Sequence, residues 1–225
     1  MLKLAAGVAI NVAIFAALLF LPTRNLDWWR AWVLLGVIFV SAVASTAILR
    51  RTSPALLEER FKSPVQAGQP RTDKIVVSLL IAAFVVDVAF IPIDVFRLHV
   101  MPKPGPLVSA AGLVLFVAGW WIMTQALRAN PFASPAVRHQ QERHHVAVDR
   151  GLYSVVRHPM YAGAVLFFVS MPLWLESYAA TVLALVTVFL IVVRISVEEQ
   201  FLKRELPGYD AYTRRVRYRL IPFVW

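Results

Sequence analysis

Apolar positions run along this chain in long unbroken blocks, not in the alternation of a strand or the one-sided stripe of a surface helix. Four of them, Leu4–Leu21, Trp28–Leu49, Ile75–Phe96 and Pro106–Leu127, are close to 20 residues long. At about 1.5 Å per residue such a block crosses the roughly 30 Å of a bilayer's hydrocarbon, where a helix satisfies its own backbone. Two shorter blocks follow a polar stretch, Tyr161–Leu175 and Tyr178–Val193, with only Glu176 and Ser177 between them. That spacing predicts a tight helical hairpin. The expected fold class is therefore all-α: a polytopic transmembrane helical bundle of five to six membrane helices, the last two forming the hairpin. Met1–Leu21 carries one basic residue, Lys3, and no small-x-small cleavage pattern follows Phe20, so it reads as a membrane helix, not a signal peptide.

Composition agrees with this picture. Of 225 residues, 59% are apolar and only 16% charged, against about a quarter charged in a soluble domain. Mean hydropathy is +0.66. A solvated globular domain and a disordered chain are both excluded. The absence of cysteine removes disulfides, thiolate metal sites and a cysteine nucleophile. A net charge of +10 is read as basic flanks lying against anionic lipid headgroups, with no nucleic-acid partner. With six crossings, one side of the membrane receives nineteen Lys and Arg and the other four. This positive-inside bias predicts an integral, multi-pass protein with N- and C-termini cytoplasmic.

Most titratable residues outside the bundle then fall in two segments that flank the hairpin, 128–160 and 194–225. At the boundary between the first and the short apolar block lies Gly151-Leu-Tyr-Ser-Val-Val-Arg-His-Pro-Met-Tyr161. Pro159 suits the first turn of a helix, whose free N–H groups and dipole form a seat for an anion. Arg157 and His158 stand beside that seat, and Tyr153 and Tyr161 offer rings on which an adenine or a sulfonium can lie. The same residue types also anchor membrane proteins to headgroups. The second segment opens with Arg194-Ile-Ser-Val-Glu-Glu199. Arg194 and Glu198, four apart, share a face, in the base-before-acid order that is the weaker one for a plain surface pair. A guanidinium there suits a bidentate clamp on a substrate carboxylate, with Glu198 fixing its rotamer. Glu198 or Glu199 is alternatively a base, if burial raises its pKa.

Other polar positions carry less. Asp87, mid-way along the third block, costs about 2.5–3.5 kcal/mol if unpaired at mid-depth. With Asp94, and Pro92 as a kink between them, it is the basis for a transporter reading. His139, His144, His145 and His158 match no helical metal pair, so no metal ligands are assigned. The stripe Arg214-Arg-Val-Arg-Tyr-Arg219 reads as facing phospholipid, and the pairs Trp28-Trp29 and Trp120-Trp121 as interface or packing residues.

Taken in order, Asn130-Pro-Phe, Gln140 to Glu142, His145 to Val148, Gly151-x-Tyr153, Arg157-His-Pro-Met-Tyr161, Arg194-x-x-x-Glu198-Glu199, Tyr209-x-x-Tyr212 and Arg219-Leu-Ile-Pro222-Phe resemble the isoprenylcysteine carboxyl methyltransferase family. The resemblance covers residues 106–225 and divides the chain into N-terminal helices, 1–105, and a methyltransferase core with a C-terminal cytoplasmic segment, 106–225. It implies a membrane-embedded enzyme dependent on S-adenosylmethionine. Its cofactor pocket is on the cytoplasmic side, and a lipophilic or prenylated acceptor arrives from the bilayer. Carried over by position, cofactor contacts would come from Gln140, His145, Val146, Ala147, Val148, Tyr153, His158, Pro159, Met160 and Tyr161. Arg194 and Glu198 would match the family's substrate-binding pair.

The residue types suit that chemistry. A sulfonium methyl is already electrophilic and a carboxylate already nucleophilic, so transfer needs placement and exclusion of water, not a relay of bases. An amine acceptor, as in phospholipid N-methyltransferases, requires Glu198, Glu199 or His158 to take a proton. The competing readings are an NADPH-dependent, sterol-type membrane reductase with a comparable Arg-His-Pro pattern, and a small transporter built round Asp87 and Asp94.

Overall fold

The computed structural model describes residues 2–60, 63–66, 68–137, 140 and 143–225, with the side chains of Leu2 and Lys3 excepted. Among the described residues eight α-helices follow one another: α1 (Leu2–Phe20), α2 (Trp29–Thr52), α3 (Pro54–Arg60), α4 (Arg71–Ile93), α5 (Pro106–Ala129), α6 (Pro159–Trp174), α7 (Tyr178–Glu205) and α8 (Tyr209–Arg215). Among the described residues there is no strand. Four helical stretches among these residues are long and apolar enough to cross a membrane: Trp29–Thr52, Arg71–Leu98, Pro106–Ala129 and Tyr178–Glu205. Leu4–Phe20 and Pro159–Trp174 are shorter apolar helices. The 16 residues of α6 amount to roughly 24 Å of helix, short of the hydrocarbon thickness.

Where the elements end has local causes. Pro92 cannot donate its i→i−4 bond, and α4 widens just beyond it into a π-helical turn, Asp94–Leu98, closed by His99 in a left-handed conformation. Asp94 holds this corner together. One of its carboxylate oxygens accepts from the Val100 amide at 2.8 Å and the other from the Ser177 hydroxyl at 2.6 Å. Ser177 also caps α7, accepting from the Ala180 amide at 3.0 Å. The hairpin turn and the end of α4 are thus one hydrogen-bonded unit, and Asp94 is a structural carboxylate. That removes one of the two residues on which the transporter reading stood.

The hairpin forms as expected, but α7 does not stop with the apolar block at Val193. It runs twelve residues further, because no breaker intervenes before Pro207, which restricts Leu206, and Gly208, which adopts φ +82°. Arg194, Glu198 and Glu199 are therefore mid-helix residues, rigidly placed. The α5–α6 seam is closed by glycines. A Cβ on Gly119 would sit 2.6 Å from the Gly163 carbonyl oxygen, and one on Gly163 the same distance from that of Gly119. Only the absence of side chains lets these backbones approach so closely.

The main apolar core joins both halves of the chain. Phe15 and Leu19 of α1 and Leu34 and Ile38 of α2 share it with Ile91, Phe116, Phe167 and Met171. At one end, the Arg30 guanidinium lies 4.7 Å from the ring centroids of both Trp29 and Trp174 and pairs with Glu176 at 3.0 Å. Of the tryptophan pairs, Trp28 is buried and Trp29 exposed, and Trp121 is exposed while Trp120 donates to Ser45.

Candidate functional site

At the basic end of the bundle the chain between α5 and α6, the last turns of α7 and the helix α8 meet around a hollow. Its walls take Asn130, Phe132 and Val137 from the loop after α5, and His145, Val146, Ala147 and Val148 from the same loop further on. Tyr153, Arg157, His158, Met160 and Tyr161 come from the approach to α6 and its first turn. Arg194, Glu198 and Leu202 come from α7, and Leu206, Tyr209 and Tyr212 from beyond it. Ten of the twelve site residues expected from sequence thus line one space, and Arg194 and the start of α6 share it. Free volume within it is about 80 Å³.

Two expected residues lie outside the lining. Pro159 occupies the first position of α6, where its missing N–H costs nothing. Gln140 is buried and organises the loop: its amide nitrogen donates to the Phe132 carbonyl at 2.7 Å, and its amide oxygen accepts from Arg143 at 2.6 Å. Arg143 also donates to the Pro131 carbonyl at 2.7 Å and lies 5.5 Å from the Phe132 ring centroid. Phe132 in turn stacks on His145, with centroids 4.6 Å apart. Gln140 therefore acts on the hollow through Phe132. His139, Gln141 and Glu142 lie outside the described residues. Among the described ones, no three His, Asp or Glu side chains gather as a metal site would need.

Glu199 is the anchor of the site and not its base. It is 3% exposed. One of its oxygens accepts from Arg157 Nε at 2.6 Å and faces His158 Nε2 at 3.2 Å; the other accepts from Arg219 Nε at 2.9 Å. Three nitrogen groups on one carboxylate leave it no role as a proton acceptor. Arg157 directs Nη1 to the carbonyls of Val216 and Arg217, at 2.9 and 2.7 Å. The amides of Arg157 and His158 donate to the carbonyls of Tyr218 and Arg219, both at 2.9 Å. The C-terminal segment is thereby strapped across the start of α6. Of the basic stripe expected to face lipid, Arg219 instead turns inward and lies over the Trp225 ring at 5.2 Å, while Arg215 pairs with Asp149.

Arg194 and Glu198 share a face but do not pair with each other. The Tyr161 hydroxyl donates to Glu198 at 2.7 Å. Arg194 directs its Nε to Asp73, 3.3 Å away in the first turn of α4, and an Nη to the Pro135 carbonyl. Asp73 is fully buried and also accepts from the Val137 amide at 3.1 Å and from Gln69. This carboxylate, absent from the sequence expectations, takes the part assigned there to Glu198. Its one signal in the sequence is its place at the start of a membrane helix, where an acid favours the dipole.

The tyrosines around the hollow are donors and faces. The Tyr212 hydroxyl donates to the Tyr153 carbonyl at 2.8 Å, and Tyr209 and Tyr212 pack with centroids 5.6 Å apart. Burial pushes the phenols of Tyr153, Tyr209 and Tyr212 well above their ordinary range. They stay neutral at any physiological pH.

Residues 107–207, which contain α5, α6 and α7, match the phospholipid methyltransferase family. No curated relative matches the chain by sequence. Among solved structures, the eukaryotic intramembrane Ras methyltransferase, isoprenylcysteine carboxyl methyltransferase, superposes with a TM-score of 0.53. Identity is 17% over 98% of this chain and 75% of that one. The similarity to the phospholipid methyltransferase family thus lies in residues 107–207, within a fold like that of an intramembrane methyltransferase.

Proposed function

We propose that this protein transfers the methyl group of S-adenosylmethionine to a lipophilic acceptor, through the acceptor's carboxylate. The observation that carries the reading is the meeting of His145–Val148, Tyr153, His158, Met160 and Tyr161 with Arg194 and Glu198 around one hollow. The donor set fits the cofactor. Aromatic rings and a carboxylate suit a sulfonium, and the rings suit an adenine.

When bound, S-adenosylmethionine supplies an electrophilic methyl: the carboxylate oxygen gains the O–CH3 bond, the S–CH3 bond breaks with its electron pair left on sulfur, and no proton moves. The chain's own part is placement. Arg194 uses two of its five N–H donors on Asp73 and Pro135, which aims its other guanidinium edge without consuming it. That edge holds and orients the acceptor carboxylate. Tyr161 keeps Glu198 turned toward the hollow wall. Tyr209, Tyr212 and Leu206 close it against water. The free space of about 80 Å³ is below the ~300–1,000 Å³ of a small-molecule site, so the lining opens when the cofactor binds.

The geometry disfavours an amine acceptor. Glu199 is committed to three nitrogen groups, one of them His158, so Glu198 alone would be left to take the proton. The test is thermal unfolding of the purified protein. S-adenosylhomocysteine at a hundredfold excess over its Kd adds about 2.7 kcal/mol of stability and raises the midpoint. NADPH does not. Loss of the shift in Tyr153→Ala supports the pocket. Stabilisation by NADPH alone would favour the reductase reading.

A further inference from the structure

The segment strapped across the start of α6 turns tightly on itself over residues 219–225. The amides of Arg219, Leu220 and Ile221 all donate to the Trp225 main-chain oxygen, at 2.9, 2.9 and 3.1 Å. Those of Val224 and Trp225 return to the Ile221 carbonyl, at 3.2 and 3.1 Å. Phe223 takes φ +65° inside this turn, a left-handed conformation that a bulky side chain rarely adopts. Its ring packs beside Tyr218, with centroids 5.2 Å apart, yet Phe223 is 87% exposed, Val224 75% and Ile221 51%. A closely bonded turn with strain in its backbone thus holds three apolar side chains in the open, an arrangement that marks an interaction surface.

The inner side of the same turn fixes its depth. Leu220 is buried with Tyr161, Ile191 and Ile195, and Trp225 packs against that cluster beside Leu80 and Val165. Ile191 lies in the apolar block of α7 that closes at Val193, and Ile195 is just beyond it. The turn therefore sits where membrane helices pass from hydrocarbon to headgroups, the level that tryptophan favours. Arginines precede the apolar tip: Arg214 and Arg217 are exposed, and Arg219 lies over the Trp225 ring at 5.2 Å. Apolar side chains at that depth, beside guanidiniums, match an anionic bilayer surface. Its acyl region takes the first and its phosphates the second.

We propose that Ile221, Phe223 and Val224 form an interfacial anchor, inserted into the leaflet on the side of the candidate site, with anionic lipid as its partner. The lipid-facing element of this segment is the apolar tip, and the arginines support it. The segment is then held from two sides. Arg157 and Glu199 grip it from within, and lipid grips it from outside. Val216, at its start, packs with Leu206, Tyr209 and Tyr212 of the hollow's wall, so the anchor steadies that wall whatever reaction the hollow performs.

The chain has no cysteine, so Val224→Cys accepts a single nitroxide label on the full chain. The protein is reconstituted in vesicles of phosphatidylglycerol and phosphatidylcholine in equal parts. Two reference sites bracket the tip: Phe189→Cys, 64% exposed in the apolar stretch of α7, and Asp210→Cys, exposed on α8. Electron paramagnetic resonance reads accessibility to oxygen relative to a water-soluble nickel chelate. At position 224 that ratio is expected to exceed the one at 210 at least threefold and to approach the one at 189. Phe223→Asp in the same labelled chain should lower it at least twofold, and so should vesicles of phosphatidylcholine alone. A label at 224 as wet as that at 210 overturns the proposal and favours a soluble protein partner for the tip. A ratio unmoved by Phe223→Asp overturns it as well, since the label and not the tip then seeks the membrane. A ratio unmoved by removing phosphatidylglycerol overturns the part given to anionic lipid.

Discussion

Asp73 Oδ1 sits 3.3 Å from Arg194 Nε, joining the first turn of α4 to the middle of α7 across 121 positions of sequence. The carboxylate is fully buried, and it holds the Val137 amide with its second oxygen. One acid therefore aims the arginine proposed to bind the acceptor and also fixes the loop that covers the hollow.

Asp73→Asn keeps the shape and removes the charge. Hydrogen bonds to charged groups contribute about 1.5–3 kcal/mol, so kcat/KM for the acceptor is expected to fall roughly ten- to a hundredfold. S-adenosylhomocysteine affinity should change little. Steady-state kinetics beside cofactor titration checks this; equal losses in both would make Asp73 a merely structural residue. Arg194→Lys should not restore activity, since an ammonium cannot hold Asp73 and a carboxylate in one plane.

Glu198 and Glu199 are neighbours with opposite roles. Glu199→Gln strands Arg157, His158 and Arg219 beside a neutral group, and breaking a buried pair from one side costs about 3–5 kcal/mol. A large drop in thermal midpoint is expected, with loosening of residues 216–225 visible by limited proteolysis. Glu198→Gln should leave the midpoint nearly unchanged and act on turnover. If the two variants were equally stable, the anchoring role of Glu199 would be wrong.

Gly119 and Gly163 face each other's carbonyl oxygens at a distance no Cβ tolerates. Gly163→Val is expected to destabilise the α5–α6 pair by about 1–3 kcal/mol or more. Detergent unfolding measures it, and a neutral result would mean the two helices are further apart than described.

Asp87 is 1% exposed and neither of its oxygens has a partner among the described residues. Asp87→Leu, by removing an unsatisfied polar group from the bundle, should raise the thermal midpoint and preserve methyl transfer. Ion-coupled uptake in vesicles that vanished in Asp87→Asn would revive the transporter reading.

Block length alone made the membrane helices and the hairpin legible, because hydrocarbon thickness fixes how long an apolar helix must be. It misplaced the end of α7, since hydropathy stops at Val193 while the helix continues until the Leu206-Pro207-Gly208 breaker. The short helices α3 and α8 carry too little apolar sequence to register that way. In the site, motif residues on adjacent turns were readable, and ten of the twelve converge. What was hidden were partnerships between distant segments. Asp73 with Arg194, and Glu199 with the strapped C-terminal segment, are set by tertiary packing that no local spacing encodes. Glu198 and Glu199 look alike in sequence; a rotation of about 100° along the helix sends one to the hollow and the other to three nitrogen groups.

Transfer of label from methyl-labelled S-adenosylmethionine to N-acetyl-S-farnesylcysteine, followed by mild base, reads the proposed chemistry directly. A methyl ester releases its label as methanol, whereas an N-methyl group keeps it. The expected result is base-labile label with wild-type protein and at least a tenfold loss with Arg194→Gln. Label that survives base in an amine lipid, or base-labile transfer undiminished in Arg194→Gln, would contradict it.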